Sequence, residues 1–196
     1  MEQTLAWIGI GAILIVFLVV FVIASKRFSK RAKMKKEFYA KADRQRANML
    51  KYKDADADVL RSAPAAEMIE GLAAGVQEEI ADCAAPNAAF RELPLWRRYA
   101  YAAYYFFSDS EIKLSGFFRN SGEPLLSTAM ECLEKTGMEE YLSLIRKEYE
   151  MLDDDNDAVS VEETKIAAWD ADFARLDREP LRQRVKEIIT QAHPGA

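Results

Sequence analysis

From Ala65 to Ile189 the apolar residues recur at intervals of three and four, and no stretch sustains the alternation of a strand. That spacing buries one face of a helix after another and most narrows what this chain can fold into. Met68, Ile69, Leu72, Val76, Ile80 and Cys83 form the first stripe, closed by Pro86 and Asn87. Pro94 opens a second helix, Leu93 to Phe107, dense in Trp96, Tyr99, Tyr101, Tyr104, Tyr105, Phe106 and Phe107. Aromatics on more than one face place this helix at the centre of the core. A base-stacking platform is the sharper alternative, but Arg97 and Arg98 supply little of the positive charge it needs. Ser108 and Glu111 read as a capping box for a short helix ending near Gly116. Pro124 suits a first helical position, with Leu125, Leu126, Ala129, Met130 and Leu133 inward and Gly137 as the stop. Met138, Tyr141, Leu142, Ile145, Tyr149 and Leu152 follow. After the acidic loop Asp153 to Asp157, a second capping box, Ser160 with Glu163, opens the helix of Ile166, Trp169, Phe173 and Leu176. Pro180 introduces the last, with Leu181, Val185, Ile188 and Ile189 buried. The fold class expected is all-α.

The N-terminus reads differently. Leu5 to Ala24 contains no charged side chain, and twenty residues at about 1.5 Å each reach about 30 Å, the thickness of a bilayer's hydrocarbon core. The expected architecture is therefore one N-terminal transmembrane helix (5–24) after a short external segment (1–4), a basic juxtamembrane helix (25–53), a linker (54–64) and an acidic helical domain (65–196). A cleaved signal peptide fits less well, because no positive charge precedes the run and Lys and Arg follow it at once. The same asymmetry predicts a single-pass protein of the inner (plasma) membrane, N-terminus outside and domain cytoplasmic. Lys26, Arg27, Lys30, Arg31, Lys33, Lys35 and Lys36 are candidate contacts to anionic lipid head groups, each contributing about 1 kcal/mol near such a surface. With no Pro or Gly from Ser25 to Tyr52, one nearly continuous helix is predicted from Leu5 to about Tyr52.

Charge divides the chain. Ser25 to Lys53 carries twelve Lys or Arg against two acidic residues, whereas Asp54 to Ala196 carries a net of −14. Such a field accelerates association with positive surfaces and repels nucleic acid. Catalytic and metal motifs are missing from the sequence. Cys83 and Cys132 are far apart and read as two buried, reduced thiols, and the one histidine, His193, stands at the chain end. Asp153, Asp155 and Asp157 copy three ligand positions of a calcium loop, but Ala158 holds the glycine position and Thr164 the twelfth. There is no phosphate-cradling glycine loop, no H-E-x-x-H and no G-x-S-x-G. No cofactor is implied.

Arg91 to Pro194 resembles the C-terminal domain of the bacterial DNA-mimic protein family. The likeness rests on the aromatic helix before Glu111-Ile112, on Gly116-Phe117 leading into Asn120-Ser121-Gly122, on the helix ending in Thr136-Gly137, and on a tail from Asp172-Phe173 through Ala192-His193-Pro194. The family's central motif is longer, and its first glycine and asparagine are lacking here. Gly116, Phe117, Asn120, Ser121 and Gly122 are thus the family-motif residues. Physically, Gly116 and Gly122 are expected to permit turns that a Cβ would obstruct, and Asn120 or Ser121 to cap the helix beginning at Pro124. The resemblance implies a helical domain whose acidic surface imitates DNA in some members.

Three functions follow as expectations. The first is a membrane-tethered interaction module with a basic protein partner. The second is a DNA-mimic-like inhibitor of a DNA-binding protein, and the third a membrane-bound enzyme, such as a hydrolase, with an unrecognised site.

Overall fold

The computed structural model describes residues 33–152 and 162–195, and it divides into two compact units, Met1–Arg44 and Gln45–Ala196. Every residue from 33 to 52 is helical (α1). This is the described part of the helix expected over Leu5 to Tyr52. In the first unit, residues 33–44 are solvent-exposed, with Lys33 paired to Glu37 at 3.9 Å and the Phe38 and Tyr39 rings 5.9 Å apart.

The second unit contains the rest of α1, then α2 (Ala57–Ser62), α3 (Ala65–Ile80), α4 (Pro86–Glu92), α5 (Leu95–Asp109), α6 (Leu114–Asn120), α7 (Leu125–Glu134), α8 (Glu139–Leu152), α9 (Glu163–Phe173) and α10 (Arg178–Gln191). No strand occurs among the described residues. Helix α5 is the hub: it packs on α3, α7, α10 and α6, while α8 and α9 close over α6. Tyr99 and Phe106 are buried, and Phe106 meets Phe117 and Phe173 edge-on at 5.3 and 6.2 Å. Each such ring contributes about 1.5–3 kcal/mol by leaving water.

One expectation is corrected here. No helix among the described residues is long and apolar enough to cross a membrane. The reason is length and charge: α2 to α10 are 6 to 16 residues long, and residues 33–52 carry seven Lys or Arg. The span expected at Leu5 to Ala24 lies outside the described residues. The transmembrane architecture, the single-pass inner-membrane placement and the integral membrane contact are therefore set aside, and the fold is an all-helical domain.

Local differences have local causes. The stretch read as a linker, Asp54 to Pro64, contains α2, capped by the Asp56 carboxylate accepting from Val59 N–H at 3.0 Å and anchored by the fully buried Leu60. Lys186 of α10 donates to the Arg61 and Ala63 carbonyls at that helix's C-terminus, where a cation is favoured. Pro86 opens α4 rather than closing the preceding segment. Cys83 is exposed, whereas Cys132 is buried and its thiol pushed up to about 12, chiefly by burial. The Ser108 capping box does not form, because α5 continues through Asp109. Ser160, the second expected cap, and the loop Asp153 to Asp157 lie outside the described residues.

The Gln45–Tyr52 part of α1 lies tightly against α3. A Cβ on Gly71 would stand 2.4 Å from the Asn48 carbonyl oxygen, and one on Gly75 would stand 2.9 Å from Lys53 Cβ. Two glycines four apart on one helix face permit that approach. Asn48 Nδ2 then donates to Glu70 Oε2 at 2.7 Å.

Helix α6, which carries Gly116, Phe117 and Asn120 of the family motif, is held from a distance. Its own N-cap residue, Lys113, makes no side-chain bond, and the buried Asp170 of α9 instead accepts from Ser115 N–H at 2.9 Å and from Ser115 Oγ at 2.8 Å. Glu148 of α8 is fully buried close by, and neither carboxyl oxygen has a hydrogen-bond partner. Burial, reinforced by the negative charge of Asp170 and opposed by Arg119, pushes its carboxyl up to about 8.

Candidate functional site

Between the C-terminal half of α3, α4, α5 and the α6–α7 turn lies a cleft of about 540 Å³. Ile80 and Phe90, from the small apolar cluster of Val76, Ile80, Phe90 and Leu93, line it together with Tyr101 and Leu125, which pack against that cluster. Helical spacing sets one wall: Tyr101 and Tyr105 are one turn apart on α5, with rings 4.9 Å apart and edge-on. Both hydroxyls donate to Gln77 Oε1 of α3, at 2.6 and 3.2 Å. With their hydrogens so used, the phenol oxygens offer lone pairs to a guest. Burial, and then the Tyr105 hydroxyl, raises the Tyr101 phenol above its ordinary value.

The opposite wall is the turn Asn120-Ser121-Gly122-Glu123-Pro124. No side chain caps α7. The Gly122 carbonyl accepts instead from Leu125 N–H at 3.0 Å and Leu126 N–H at 3.3 Å, across a cis Glu123–Pro124 peptide. The expected capping role of Asn120 or Ser121 is therefore filled by backbone, and the exposed Asn120 side chain makes no hydrogen bond among the described residues. Glu123 accepts from Ser127 Oγ at 2.5 Å, and its carbonyl accepts from Asn87 Nδ2 of α4 at 3.4 Å. Gly116 brings α6 onto the end of α5, since a Cβ there would stand 2.6 Å from the Asp109 carbonyl oxygen. Gly122 needs no such freedom: a Cβ there would meet nothing within 4 Å.

Asp109 also lines the cleft, its carboxyl raised by burial and without a hydrogen-bond or ion-pair partner among the described residues. Asp109 and Glu123 are the acidic groups of the lining, and no Lys, Arg or His joins them. Arg119, next to Asn120 in sequence, is turned to α9 by contacts of 2.8 and 2.9 Å to the Glu163 carboxylate.

The motif residues thus separate by depth. Phe117 is fully buried against Phe106, with Phe118 slightly shallower, and Gly116 sets a helix contact. Asn120, Ser121 and Gly122 reach the cleft. Among the candidate lipid contacts, Lys33, Lys35 and Lys36 are exposed, whereas Lys26, Arg27, Lys30 and Arg31 lie outside the described residues. Sequence reasoning assigned Tyr101 and Tyr105 to the core and missed their second role. The four-residue interval was the available signal, but nothing in the sequence pointed to Gln77 as their partner or to Asp109 in the same lining.

These features define a class: an all-helical, acidic domain with a cleft rich in hydrogen-bond acceptors, and no nucleophile paired with a base in that cleft. The profile of the DMP19-like protein family matches residues 91–190, and the chain belongs to that family. No curated protein and no solved structure matches the chain. The family segment supplies α5 to α7 of the cleft, while Gln77, Ile80, Asn87 and Phe90 come from the chain before it.

Proposed function

We propose that this chain is a protein-interaction module whose acidic domain occupies a DNA-binding protein, as the DNA-mimic name of its family describes. The observation that carries the reading is the net of −14 over Asp54 to Ala196, together with a motif cleft that holds carboxylates and no cation. A field of that sign speeds encounter with the positive surface a DNA-binding protein presents and repels nucleic acid itself. The shifts in the cleft favour binding over catalysis. A raised phenol is not activated as a nucleophile, and burial likewise raises the Asp109 carboxyl.

The test is capture of partners from lysate by the intact protein at low and high ionic strength, with duplex DNA as competitor. Captured proteins should be DNA-binding, released by salt and displaced by DNA. Recovery of the same partners at both ionic strengths, or indifference to DNA, would overturn the reading.

A further inference from the structure

We propose that the cleft receives an arginine side chain of the partner protein, a recognition site resting on the reading above and deepening it. Four observations converge on a guanidinium guest. First, the volume of about 540 Å³ lies in the range of about 300–1,000 Å³ typical of ligand sites, room for one long side chain and its flanking backbone. Second, the Phe90, Tyr101 and Tyr105 rings give it an aromatic wall, on which a planar, weakly hydrated guanidinium stacks better than a compact ammonium.

Third, the polar groups are arranged as acceptors at separate points. Asp109, whose carboxylate has no partner among the described residues, lines the cleft with Asn120 and Glu123, and the Tyr101 and Tyr105 hydroxyls donate to Gln77. A guanidinium carries five N–H donors in a rigid fork and reaches several acceptors at once, which a point charge does not. Fourth, Arg119, next to the lining residue Asn120 in sequence, is held by Glu163, and no cation of the chain lines the cleft. An anionic guest such as a phosphate would meet two carboxylates with no compensating charge.

Asp109 is the charge that distinguishes this guest. A cation brought beside it offsets the burial that disfavours its charged form. Because Asp109 has no partner to lose, Asp109→Asn removes the charge without orphaning a neighbour.

The test titrates intact, 15N-labelled protein with Nα-acetyl-arginine methylamide and with its citrulline and lysine counterparts, following the amide signals of Gly122 and Asn120. Citrulline keeps the shape and loses the charge, and lysine keeps the charge and loses the fork. The arginine compound should shift both signals and bind about tenfold more tightly than citrulline, as expected for a charge-assisted hydrogen bond. Asp109→Asn should abolish that advantage, whereas Glu131→Gln, outside the cleft, should keep it. No shift, equal binding of citrulline, or equal binding of lysine overturns the proposal. A melt of each variant confirms that it is folded, and direct observation of arginine bound to an Asp109→Asn protein with unchanged affinity also counts against it. Failure here is distinguishable from failure of the functional reading. If arginine does not bind but DNA-binding proteins are still captured and displaced by DNA, the cleft assignment falls alone. If arginine binds while capture is indifferent to DNA, the functional reading falls alone.

Discussion

Glu148→Gln should make the protein more stable at neutral pH and flatten its pH dependence. The native carboxyl titrates near 8 against an ordinary value of 4.5, because it is buried without a partner and beside Asp170. Between those values the folded chain keeps a proton that the unfolded chain releases, so rising pH favours unfolding by up to about 1.4 kcal/mol per unit. The contribution is fully present below pH 4.5 and is lost as pH rises through 8. Integrated from pH 5 to 7, the loss is about 2.5 kcal/mol, and the full span of the shift corresponds to about 5 kcal/mol. An amide of the same shape has no proton to release. Urea unfolding of wild type and variant at pH 5, 6, 7 and 8 isolates the effect, since groups common to both cancel in the difference. That difference should grow by about 2.5 kcal/mol in favour of the variant between pH 5 and 7. A difference that stays constant with pH would refute the argument, and with it the view that Glu148 is held uncharged in the native state.

Gly71→Ala should destabilise by about 1–3 kcal/mol, because the new methyl meets the Asn48 backbone rather than a yielding side-chain end; equilibrium unfolding measures it. Ser115→Ala removes one donor from the buried Asp170 and should cost about 1–3 kcal/mol in the same assay. Asn120→Ala should change stability by no more than about 0.5 kcal/mol and leave the melt in place, since no backbone group depends on that side chain. An earlier melt would restore Asn120 to a capping role.

How much was legible depended on the distance over which each signal acts. Helical periodicity repeats every three or four residues, so the chain states locally which faces are apolar, and the stripes of α3, α5, α7, α8, α9 and α10 are the faces found buried. Gly137 likewise ends its helix with a φ of +66°. Caps were less legible, because a donor at a helix start accepts any partner that reaches it. Ser115 N–H is taken by Asp170, fifty-five residues away, and the first amides of α7 by the Gly122 carbonyl. The Gly71 and Gly75 pair was visible as an interval, but its meaning depended on which helix came to lie across it. The cleft was least legible of all. Its tyrosines were read as core because aromatics occupy more than one face of that helix in sequence, and only the folded chain brings Gln77 of α3 to the hydroxyls of two of them. The chain by itself determined that helices form and which side of each is dry, since those depend on neighbours along the chain. Which helices meet, and so which polar groups find partners and which are left facing a guest, was decided by contacts between distant segments that no local pattern encodes.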